Sequence, residues 1–487
     1  MKKYALNLAT CFMLLCFVSN LSATDIYLSA KGNDSKSGLT SKDAVATLSK
    51  AVKLVTGNGY VIKVSGFIDI SKEVSGANGV LSNRVISLEG ENKETSGFDG
   101  GGITRIINFE GAFDKTNTAT LKNLTFRNGL SREGGAVRVV NSEKFRFENC
   151  LFTGNSTTGT GTLHLHNVGK VDVINCEFRN NNAKSGGAIY ENNGAKVNVE
   201  SCLIENNDNS AVAGSSGGAI YITNPNGFTI NKCIIKNNKV AGNGGAIAIA
   251  NSSYPDKTVS ITNTLIAYNK SENSSGGGIY IIDAASERNI EFSLINSTIY
   301  ANTAKVYGGA IFTDNAQNGS FVKLINNTIV ENKSESGPGF APGLSFRSSG
   351  DRFIKKYIYN CIIENNICTD GRTGALADIA SDKFNTRDEE DFILRNSYFG
   401  SLNGNTFGNK PEYNNTLNYG VTKAADLAPS SENYINSQNS IPLNSNSEGL
   451  KKGNAQYLKE LNITTDQLGN PRTFVGNTCA VGAVEIP

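Results

Sequence analysis

Residues 175–190 read Asn-Cys-Glu-Phe-Arg-Asn-Asn-Asn-Ala-Lys-Ser-Gly-Gly-Ala-Ile-Tyr, and both ends of this stretch recur along most of the chain. The first end, Asn175-Cys-Glu-Phe178, is followed three residues later by Asn181. Ten such segments start 26, 26, 26, 31, 31, 33, 30, 34 and 36 residues apart. They begin at Asn123, Asn149, Asn175, Ser201, Lys232, Asn263, Asn296, Asn326, Asn360 and Asn396. This regularity indicates a solenoid in which each copy is one structural unit.

A glycine doublet marks the second end of the repeat. It reads Gly186-Gly-Ala-Ile189 in the quoted stretch. Related copies begin at Gly134, Gly217, Gly244, Gly276 and Gly308. Apolar residues then alternate, as Ile220 and Ile222 do, and a period of two indicates short strands.

Stacking explains why these residue types recur. One copy cannot close a core, but stacked copies pair each strand in parallel with its counterparts, so that like residues form columns. We expect the Phe/Ile column inside, the asparagines hydrogen-bonded at strand ends, and the glycines where a Cβ is disfavoured. The inward column comprises Phe126, Phe152, Phe178, Ile204, Ile235, Ile266, Ile299, Ile329, Ile363 and Phe399. The sequence therefore predicts an all-β protein, a right-handed parallel β-helix.

The N-terminus has the pattern of a secretory leader. Lys2 and Lys3 precede an apolar run over residues 6–18, too short to span a bilayer, and Leu21-Ser-Ala23 offers a cleavage site. We therefore expect a signal peptide over residues 1–23 and export of the protein. The expected location is extracellular or at the cell surface, with the periplasm as an alternative, and no transmembrane segment is expected in the mature chain.

The mature chain divides into three parts in this prediction. Residues 24–60 form an N-terminal cap, in which a short amphipathic helix closes the first coil. The apolar face of that helix comprises Ala44, Leu48, Ala51, Val52 and Val55. Residues 61–400 carry the β-helix repeats. Residues 401–487 form irregular loops and, over residues 469–485, a closing strand segment.

The numbers of basic and acidic residues indicate which kinds of partner the protein can bind. Lys and Arg number 46 against 44 Asp and Glu, and without Lys2 and Lys3 the two counts are equal. Binding to nucleic acid requires a basic footprint, so no nucleic-acid partner is expected.

The repeats resemble those of the polymorphic outer membrane protein family of bacterial adhesins. Phe152-Thr-Gly-Asn155, Phe178-Arg-Asn-Asn181 and Gly186-Gly-Ala-Ile189 match the tetrapeptides of that family, and the likeness covers roughly residues 120–400. More broadly, the chain is similar to secreted bacterial β-helix proteins, a class that includes polysaccharide lyases. The resemblance implies a surface-exposed domain that is engaged in attachment.

Five cysteines occupy one position of the repeat, beside the inward Phe or Ile. They are Cys150, Cys176, Cys202, Cys233 and Cys361. We interpret them as small buried packing residues, because parallel Cβ vectors suit a disulfide badly and a linear column cannot surround a metal tetrahedrally. A disulfide and a metal site remain alternatives. Seven cysteines follow the leader, and an odd number leaves at least one free thiol.

One outward column of the solenoid is rich in aromatic residues. It comprises Arg138, His164, Tyr190, Tyr221, Ala248, Tyr280, Phe312 and Ser345. Its aromatic members Tyr190, Tyr221, Tyr280 and Phe312 are the candidate binding residues, because exposed rings stack on sugars or form an attachment face. Alternatively, the rings stack on one another or lie under loops. His164 and His166 are interpreted as surface residues without a metal.

The sequence favours an exported, non-catalytic, adhesin-like protein that binds a polysaccharide or a cell-surface glycoconjugate through a lateral face. No cofactor, metal or catalytic residue is assigned. The alternative is a polysaccharide lyase or glycoside hydrolase, with its site near residues 333–340, 347–356 and 378–391, and only the lyase would use Ca²⁺. A structural component of the cell envelope is a third interpretation, because fold alone does not separate these functions.

Overall fold

The computed structural model describes most of the predicted cap and solenoid and part of the C-terminal region. The described residues are 25–73, 80–251, 257–283, 290–316, 320–335, 341–348, 355–369, 378–381, 392–395, 397–399, 440–443, 450 and 453–484. The predicted signal peptide over residues 1–23 lies outside them.

Each coil of the chain contributes strands to three long parallel ladders, here called a, b and c in chain order. The a ladder, which begins after the glycine doublets, comprises Val80–Ser82, Ile107–Glu110, the first part of Val137–Glu148, the first part of Leu163–Ile174, Ile189–Asn192, Ile220–Thr223, Ile247–Asn251, Ile279–Asp283, Ile311–Ala316, Leu344–Ser348 and Ile379–Ser381. The pairing of like repeat positions from coil to coil confirms the predicted all-β parallel β-helix.

The b ladder comprises Asp25–Ser29, the first part of Tyr60–Asp69, Ile86–Gly90, Ala119–Lys122, the second parts of Val137–Glu148 and Leu163–Ile174, Lys196–Glu200, Phe228–Asn231, Lys257–Thr262, Ile290–Ile295, Phe321–Ile325, Lys355–Tyr359 and Phe392–Arg395. The c ladder comprises the end of Tyr60–Asp69, Ser96–Asp99, Thr125–Arg127, Leu151–Thr153, Glu177–Arg179, Leu203–Glu205, Ile234–Lys236, Leu265–Ala267, Thr298–Tyr300, Thr328–Val330, Ile362–Glu364 and Tyr398–Phe399.

Shorter strands lie in the turns. A fourth parallel ladder comprises Asp208–Asn209, Lys239–Val240, Lys270–Ser271, Thr303–Ala304, Lys333–Ser334 and Ile367–Cys368. A separate parallel pair joins Leu130–Glu133 to Ser156–Thr160. The described helices are the α-helices Leu48–Leu54 (α1) and Ala455–Glu460 (α2) and the 3₁₀ turns Ser41–Asp43 and Ile70–Lys72.

The predicted Phe/Ile column fills the interior of the solenoid. Its members from Phe126 to Ile363 are all fully buried. The rings of Phe126 and Phe152 stack with centroids 5.0 Å apart, and those of Phe152 and Phe178 stack at 4.5 Å. This column removes apolar surface from water at every coil, which is the main stabilising contribution to such a fold.

The asparagine column at the ends of the c strands is also buried and continuous. Asn155, Asn181, Asn207, Asn238, Asn269, Asn302, Asn332 and Asn366 have at most 2% exposure. Nδ2 of Asn207 donates to Oδ1 of Asn238 at 2.8 Å, and the backbone N–H of Asn207 donates to the same atom at 3.1 Å. The column ends at Asp378, whose Oδ1 accepts from Nδ2 of Asn366 at 2.8 Å. Asp378 belongs to a segment in which the enzyme alternative placed its site, but its carboxylate completes this structural ladder.

The cysteine position of the repeat is a second column of hydrogen-bond acceptors. The backbone N–H of Cys176 donates to Sγ of Cys202 at 3.4 Å, and that of Cys202 donates to Sγ of Cys233 at 3.4 Å. The backbone N–H of Cys233 then donates to Oγ1 of Thr264 at 3.3 Å. This repeat position is therefore occupied by cysteine, threonine, serine or asparagine, because each is a small side chain that accepts a hydrogen bond.

The five cysteines of this column form no disulfide, so the disulfide alternative is wrong for them. Burial raises the pKa of the Cys361 thiol to about 12, and it also raises the pKa values of Cys150, Cys176 and Cys202. These thiols remain protonated at neutral pH, which fits a packing role.

The N-terminal helix is shorter than the predicted apolar face, because Ala44 and Val55 lie outside it. Helix α1 buries Leu48 and Ala51, while Ala44 and Val45 are buried just before it begins. Thr47 caps the helix through its side chain, which is why Ala44 lies outside the helix rather than on its face. Val45, a core residue that the helical pattern missed, forms a bridge to the first b strand.

The C-terminal segment lies on the flank of the solenoid. The expected closing segment contains only the strand Thr478–Cys479, antiparallel to Gly453–Asn454, and neither strand extends a solenoid ladder. Its Val481 packs with the outward residues Leu265, Tyr300 and Val330 of the c ladder. Because these outward residues are apolar, the covering segment removes apolar surface from water.

Candidate functional site

The predicted outward column forms on the a ladder in the expected register. Arg138 pairs with His164, His164 with Tyr190, and Tyr190 with Tyr221. The column continues through Ala248, Tyr280, Phe312 and Ser345. The sequence therefore predicted correctly which side chains share this face.

The half of this column toward the C-terminus is not exposed, contrary to expectation. Tyr280 retains 7% exposure and Phe312 retains 2%. The Tyr280 hydroxyl donates to Oδ2 of Asp314 at 3.1 Å, and Nη2 of Arg347 lies 2.5 Å from Oδ1 of the same carboxylate. The guanidinium of Arg347 lies over the ring of Phe312, 5.7 Å from its centroid, and the Tyr307 ring packs beside it. Of the candidate binding residues, Tyr280 and Phe312 therefore belong to a packed cluster.

The half toward the N-terminus is accessible at Tyr190 and Tyr221, which are both half-buried. The His164 and Tyr190 rings stack with centroids 5.1 Å apart and an interplanar angle of 16°. The Tyr190 and Tyr221 rings meet edge to face at 5.6 Å. The alternative that the rings stack on one another thus holds for His164 and Tyr190, while Tyr190 and Tyr221 still reach the surface.

His164 is not the surface residue that was expected. It retains 5% exposure, because the Tyr190 ring covers one face and Thr160 packs at its edge. Thr160 Oγ1 and His164 Nδ1 share a hydrogen bond of 2.8 Å. His166 is half-buried, as an outward residue at the edge of the strand should be.

A charged cluster adjoins this aromatic pair. Nε of Arg138 donates to Oε2 of Glu133 at 3.2 Å, and its Nη1 donates to Oδ1 of Asn108 at 3.1 Å. The same Nη1 lies 3.5 Å from Oε2 of Glu110. A guanidinium held by three partners, two on the neighbouring a strand and one in a turn, is a fixed group rather than a mobile surface side chain.

Arg105 supports the same cluster from the preceding coil. Its Nη2 donates to Oγ of Ser131 and to the Glu133 carbonyl, both at 2.7 Å. Burial, followed by repulsion from Arg138, lowers the pKa of the Arg105 guanidinium. Arg105 therefore anchors the turn that carries Glu133. We call Arg105, Glu110, Glu133, Arg138 and His164 the polar cluster.

The protonation of His164 is shifted by its surroundings. Burial lowers its pKa to about 4; Glu133 opposes the shift, while Arg138, His166 and Arg105 add to it. At neutral pH the imidazole is uncharged, and Nε2 takes no part in its hydrogen bond to Thr160. The ring therefore adds a neutral polar group to the polar cluster.

This pKa predicts a stability that depends on pH. Because unfolded histidine titrates near 6.5, the unfolded chain binds a proton between about pH 4 and 6.5 that folded His164 does not bind. Stability contributed by His164 is thus lost as pH falls through this window, by up to about 2 kcal/mol between about pH 7 and 5. Denaturant unfolding of wild type and His164→Gln at both pH values measures the difference.

The matched control for this prediction is His166→Gln, which removes the other histidine and keeps His164. We expect His164→Gln to flatten the pH dependence and His166→Gln to retain it. Equal slopes for wild type and His164→Gln would show that His164 is not the titrating group.

The segments in which the enzyme alternative placed its site are described only in part. Residues 336–340, 349–354, 370–377 and 382–391 lie outside the described residues. Where that region is described, Arg347 pairs with Asp314 and Asp378 ends the asparagine column. No group of three or more metal-ligating side chains occurs in the described part of the chain.

A separate cleft lies on the outer side of the first b strands. Its volume is about 280 Å³, and Tyr27, Lys63, Glu89 and Glu91 contribute to its lining. Nζ of Lys63 and Oε2 of Glu89 form an ion pair of 2.6 Å within it. Lys63 and Glu89 thus satisfy each other, and the cleft lies on another ladder from the aromatic pair.

The sequence did not reveal the polar cluster, because Glu133 lies in a turn. At the outward positions of the strands, Glu110 pairs with Ser82 and Val140 and so has no acidic neighbour. Glu133 directly precedes the glycine doublet Gly134-Gly135. This position next to a doublet was the one feature of the sequence that could have pointed to it.

A chain whose strands stack in long parallel ladders is a parallel β-helix repeat protein. The family description "Right handed beta helix region" matches residues 107–293, which supports this broad class and the predicted hand. A solved structure named rhamnogalacturonan lyase aligns with a TM-score of 0.43 and 15% sequence identity, covering 77% of this chain and 87% of that chain. A likeness at this level says nothing about activity.

No curated protein matches this chain. Among the helices that the structure describes, none is long and apolar enough to cross a bilayer.

Proposed function

We propose that this chain is an exported, non-catalytic β-helix protein that binds a polysaccharide or a cell-surface glycoconjugate through the a-ladder face, as adhesins of the polymorphic outer membrane protein family would. The observation that carries the proposal is the half-buried pair of Tyr190 and Tyr221 beside the polar cluster. It acts extracellularly or at the cell surface, without a cofactor.

The arrangement suits sugar recognition for two reasons. Aromatic rings offer apolar area to the C–H faces of a sugar, while fixed polar groups orient its hydroxyls. In addition, the a-ladder face is regular over several coils, so a polymer can lie along it and contact Tyr190, Tyr221 and the polar cluster together. Several weak contacts on one rigid face then add to useful affinity.

The alternative remains a polysaccharide lyase or glycoside hydrolase, with Ca²⁺ only for a lyase. Both carboxylates of the polar cluster, Glu110 and Glu133, contact Arg138 rather than facing each other across an open space. Glycoside hydrolysis requires two carboxyl groups on opposite sides of the scissile bond. In this arrangement the two carboxylates do not form a hydrolase pair, which supports binding by this face.

The test replaces both accessible rings, Tyr190→Ala and Tyr221→Ala, in one variant. We expect retention on the polysaccharide bound by the wild type to weaken at least about ten-fold, because the apolar contact area is lost. Affinity electrophoresis against a panel of soluble polysaccharides measures retention, and assays for unsaturated products and new reducing ends report turnover.

A matched control is available on the b ladder, where Phe321 and Tyr357 also form a half-buried edge-to-face pair with centroids 6.3 Å apart. The variant Phe321→Ala/Tyr357→Ala should bind as the wild type does. Unchanged binding of the Tyr190/Tyr221 variant, or product formation by the wild type, would contradict the proposal.

A further inference from the structure

The charges of the polar cluster bear on which polysaccharides the face can bind. Two cations, Arg105 and Arg138, stand against two anions, Glu110 and Glu133. We propose that the a-ladder face is selective for a neutral polysaccharide over an acidic one. This inference rests on the function proposed above and specifies the substrate class of the same site.

The first step concerns Arg138, the cation nearest to the rings of the column. Its ion pairs with Glu133 and Glu110 have N–O distances of 3.2 and 3.5 Å, and Asn108 accepts a further hydrogen bond. Only 20% of the Arg138 side chain is exposed. The carboxylate of an acidic sugar could reach this guanidinium only by displacing Glu110 or Glu133, and it would then lie within a few ångströms of the displaced anion. Repulsion between like charges opposes that exchange.

The second step concerns Arg105, whose guanidinium is hydrogen-bonded to the turn that carries Glu133. Its Nε and Nη2 donate to the Glu133 carbonyl, and Nη2 also donates to Ser131. The Arg105 guanidinium therefore stabilises the turn through these hydrogen bonds and does not form an anion site at the surface.

The third step concerns what the cluster offers to a neutral sugar. Each hydroxyl both donates and accepts, so it needs donors and acceptors side by side. Glu110 and Glu133 each contact Arg138 through a single carboxylate oxygen, Oε2. These acceptors stand beside the Arg138 guanidinium and the rings of Tyr190 and Tyr221, which gives a compact and electrically balanced set of contacts.

The experiment compares matched polymers. Neutral polysaccharides (a glucan, a galactan, a mannan and an arabinan) are tested by affinity electrophoresis together with a derivative of each hexose polymer that is oxidised to the carboxylate at C6. We expect at least one neutral polymer to be retained, and its oxidised derivative to bind at least about ten-fold more weakly. Retention should change less than about two-fold between about 0.05 and 0.5 M NaCl, because no net charge is exchanged.

A charge variant sharpens the comparison. Glu110→Gln removes the more exposed carboxylate and leaves Arg138 paired with Glu133 and Asn108, so the fold is retained while the cluster gains a positive charge. We expect this variant to lose at least half of the discrimination against the oxidised polymer. Glu94→Gln, which removes an exposed carboxylate from a turn outside the a ladder, should keep the wild-type discrimination.

The outcomes separate the two proposals. Stronger retention of the oxidised polymers, or retention that falls steeply with salt, would overturn the neutral-ligand inference and leave glycan binding standing. Retention of no polymer of either kind would overturn both. Unchanged discrimination in Glu110→Gln would show that the polar cluster does not set the preference, and would overturn the inference as well.

Discussion

Asn238→Leu is expected to lower the free energy of unfolding by about 2–6 kcal/mol. The Asn238 side chain is fully buried in the asparagine column. Its Nδ2 donates to the Ile204 carbonyl at 3.0 Å and to Oδ1 of Asn269 at 2.9 Å. Its Oδ1 accepts from the backbone N–H of Asn207 at 3.1 Å.

Leucine has nearly the same shape but can satisfy none of these groups. The Asn207 N–H and the Ile204 carbonyl would remain buried without those partners, and each such group costs about 1–3 kcal/mol. Chemical denaturation followed by circular dichroism gives the change in unfolding free energy, if the transition remains cooperative.

The matched control is Asn198→Leu on the outer side of the b ladder. Asn198 is half-buried and accepts one short hydrogen bond, 2.9 Å from Oγ1 of Thr229. We expect this substitution to change stability by less than about 1 kcal/mol. Equal effects at Asn198 and Asn238 would mean that the asparagine column contributes no more than a surface residue does.

Gly218→Ala is expected to destabilise the protein by at least about 3 kcal/mol or to prevent folding. A Cβ at Gly218 would lie 2.1 Å from the carbonyl oxygen of Gly245, the equivalent glycine of the next coil. Backbone atoms of Lys239 lie 3.1 Å from the same point. Because these contacts are with backbone, a side-chain rotation cannot relieve them, and the spacing between two coils would have to increase. The yield of soluble protein and its thermal unfolding temperature measure the effect.

Gly57→Ala provides the matched control. Nothing lies within 4 Å of a Cβ at Gly57. The substitution should be neutral, or slightly stabilising because alanine restricts the unfolded chain. A Gly218→Ala protein as stable as Gly57→Ala would show that the second glycine of the doublet is not required for close stacking.

The two glycines of the doublet explain why glycine recurs at these positions of the repeat. In the doublet Gly217-Gly218, the first glycine has a φ of 67°, and the second has no room for a Cβ. Gly217 is therefore required for its backbone conformation, and Gly218 is required because a side chain would not fit. The requirement at Gly218 comes from a contact between coils, whereas the requirement at Gly217 comes from its own backbone conformation.

Sequence reasoning worked best where a residue has the same neighbours in every coil. The Phe/Ile column, the asparagine column and the order of the outward column were all predictable, because register is set by the repeat itself. It failed at His164, Tyr280 and Phe312, whose exposure depends on non-repeated residues. Arg347 and Asp314 close over Phe312 and Tyr280, whereas none of the ion pairs among the described residues covers Tyr190.

The polar cluster and the covered flank show the same limit. Glu133 lies in a turn whose conformation depends on Arg105, and no periodic pattern marks it. The apolar outward residues Leu265 and Tyr300 gave no hint that residues near Val481 would cover them. In both cases the contact joins parts of the chain that the repeat does not relate.

The sequence by itself determined the architecture: strand period, parallel stacking, and the contents of the interior columns. Those properties arise from the alternation of apolar and polar residues within each copy. The same pattern recurs in every coil, so it can be read many times from the sequence. Only the tertiary structure decided which stretch of the outward column is open to a ligand, and that Arg138 faces it already neutralised by Glu110 and Glu133. The accessibility of the outward column and the charge compensation of Arg138 depend on individual contacts between turns and strands. Each of these contacts occurs only once, so no periodic pattern in the sequence reveals it.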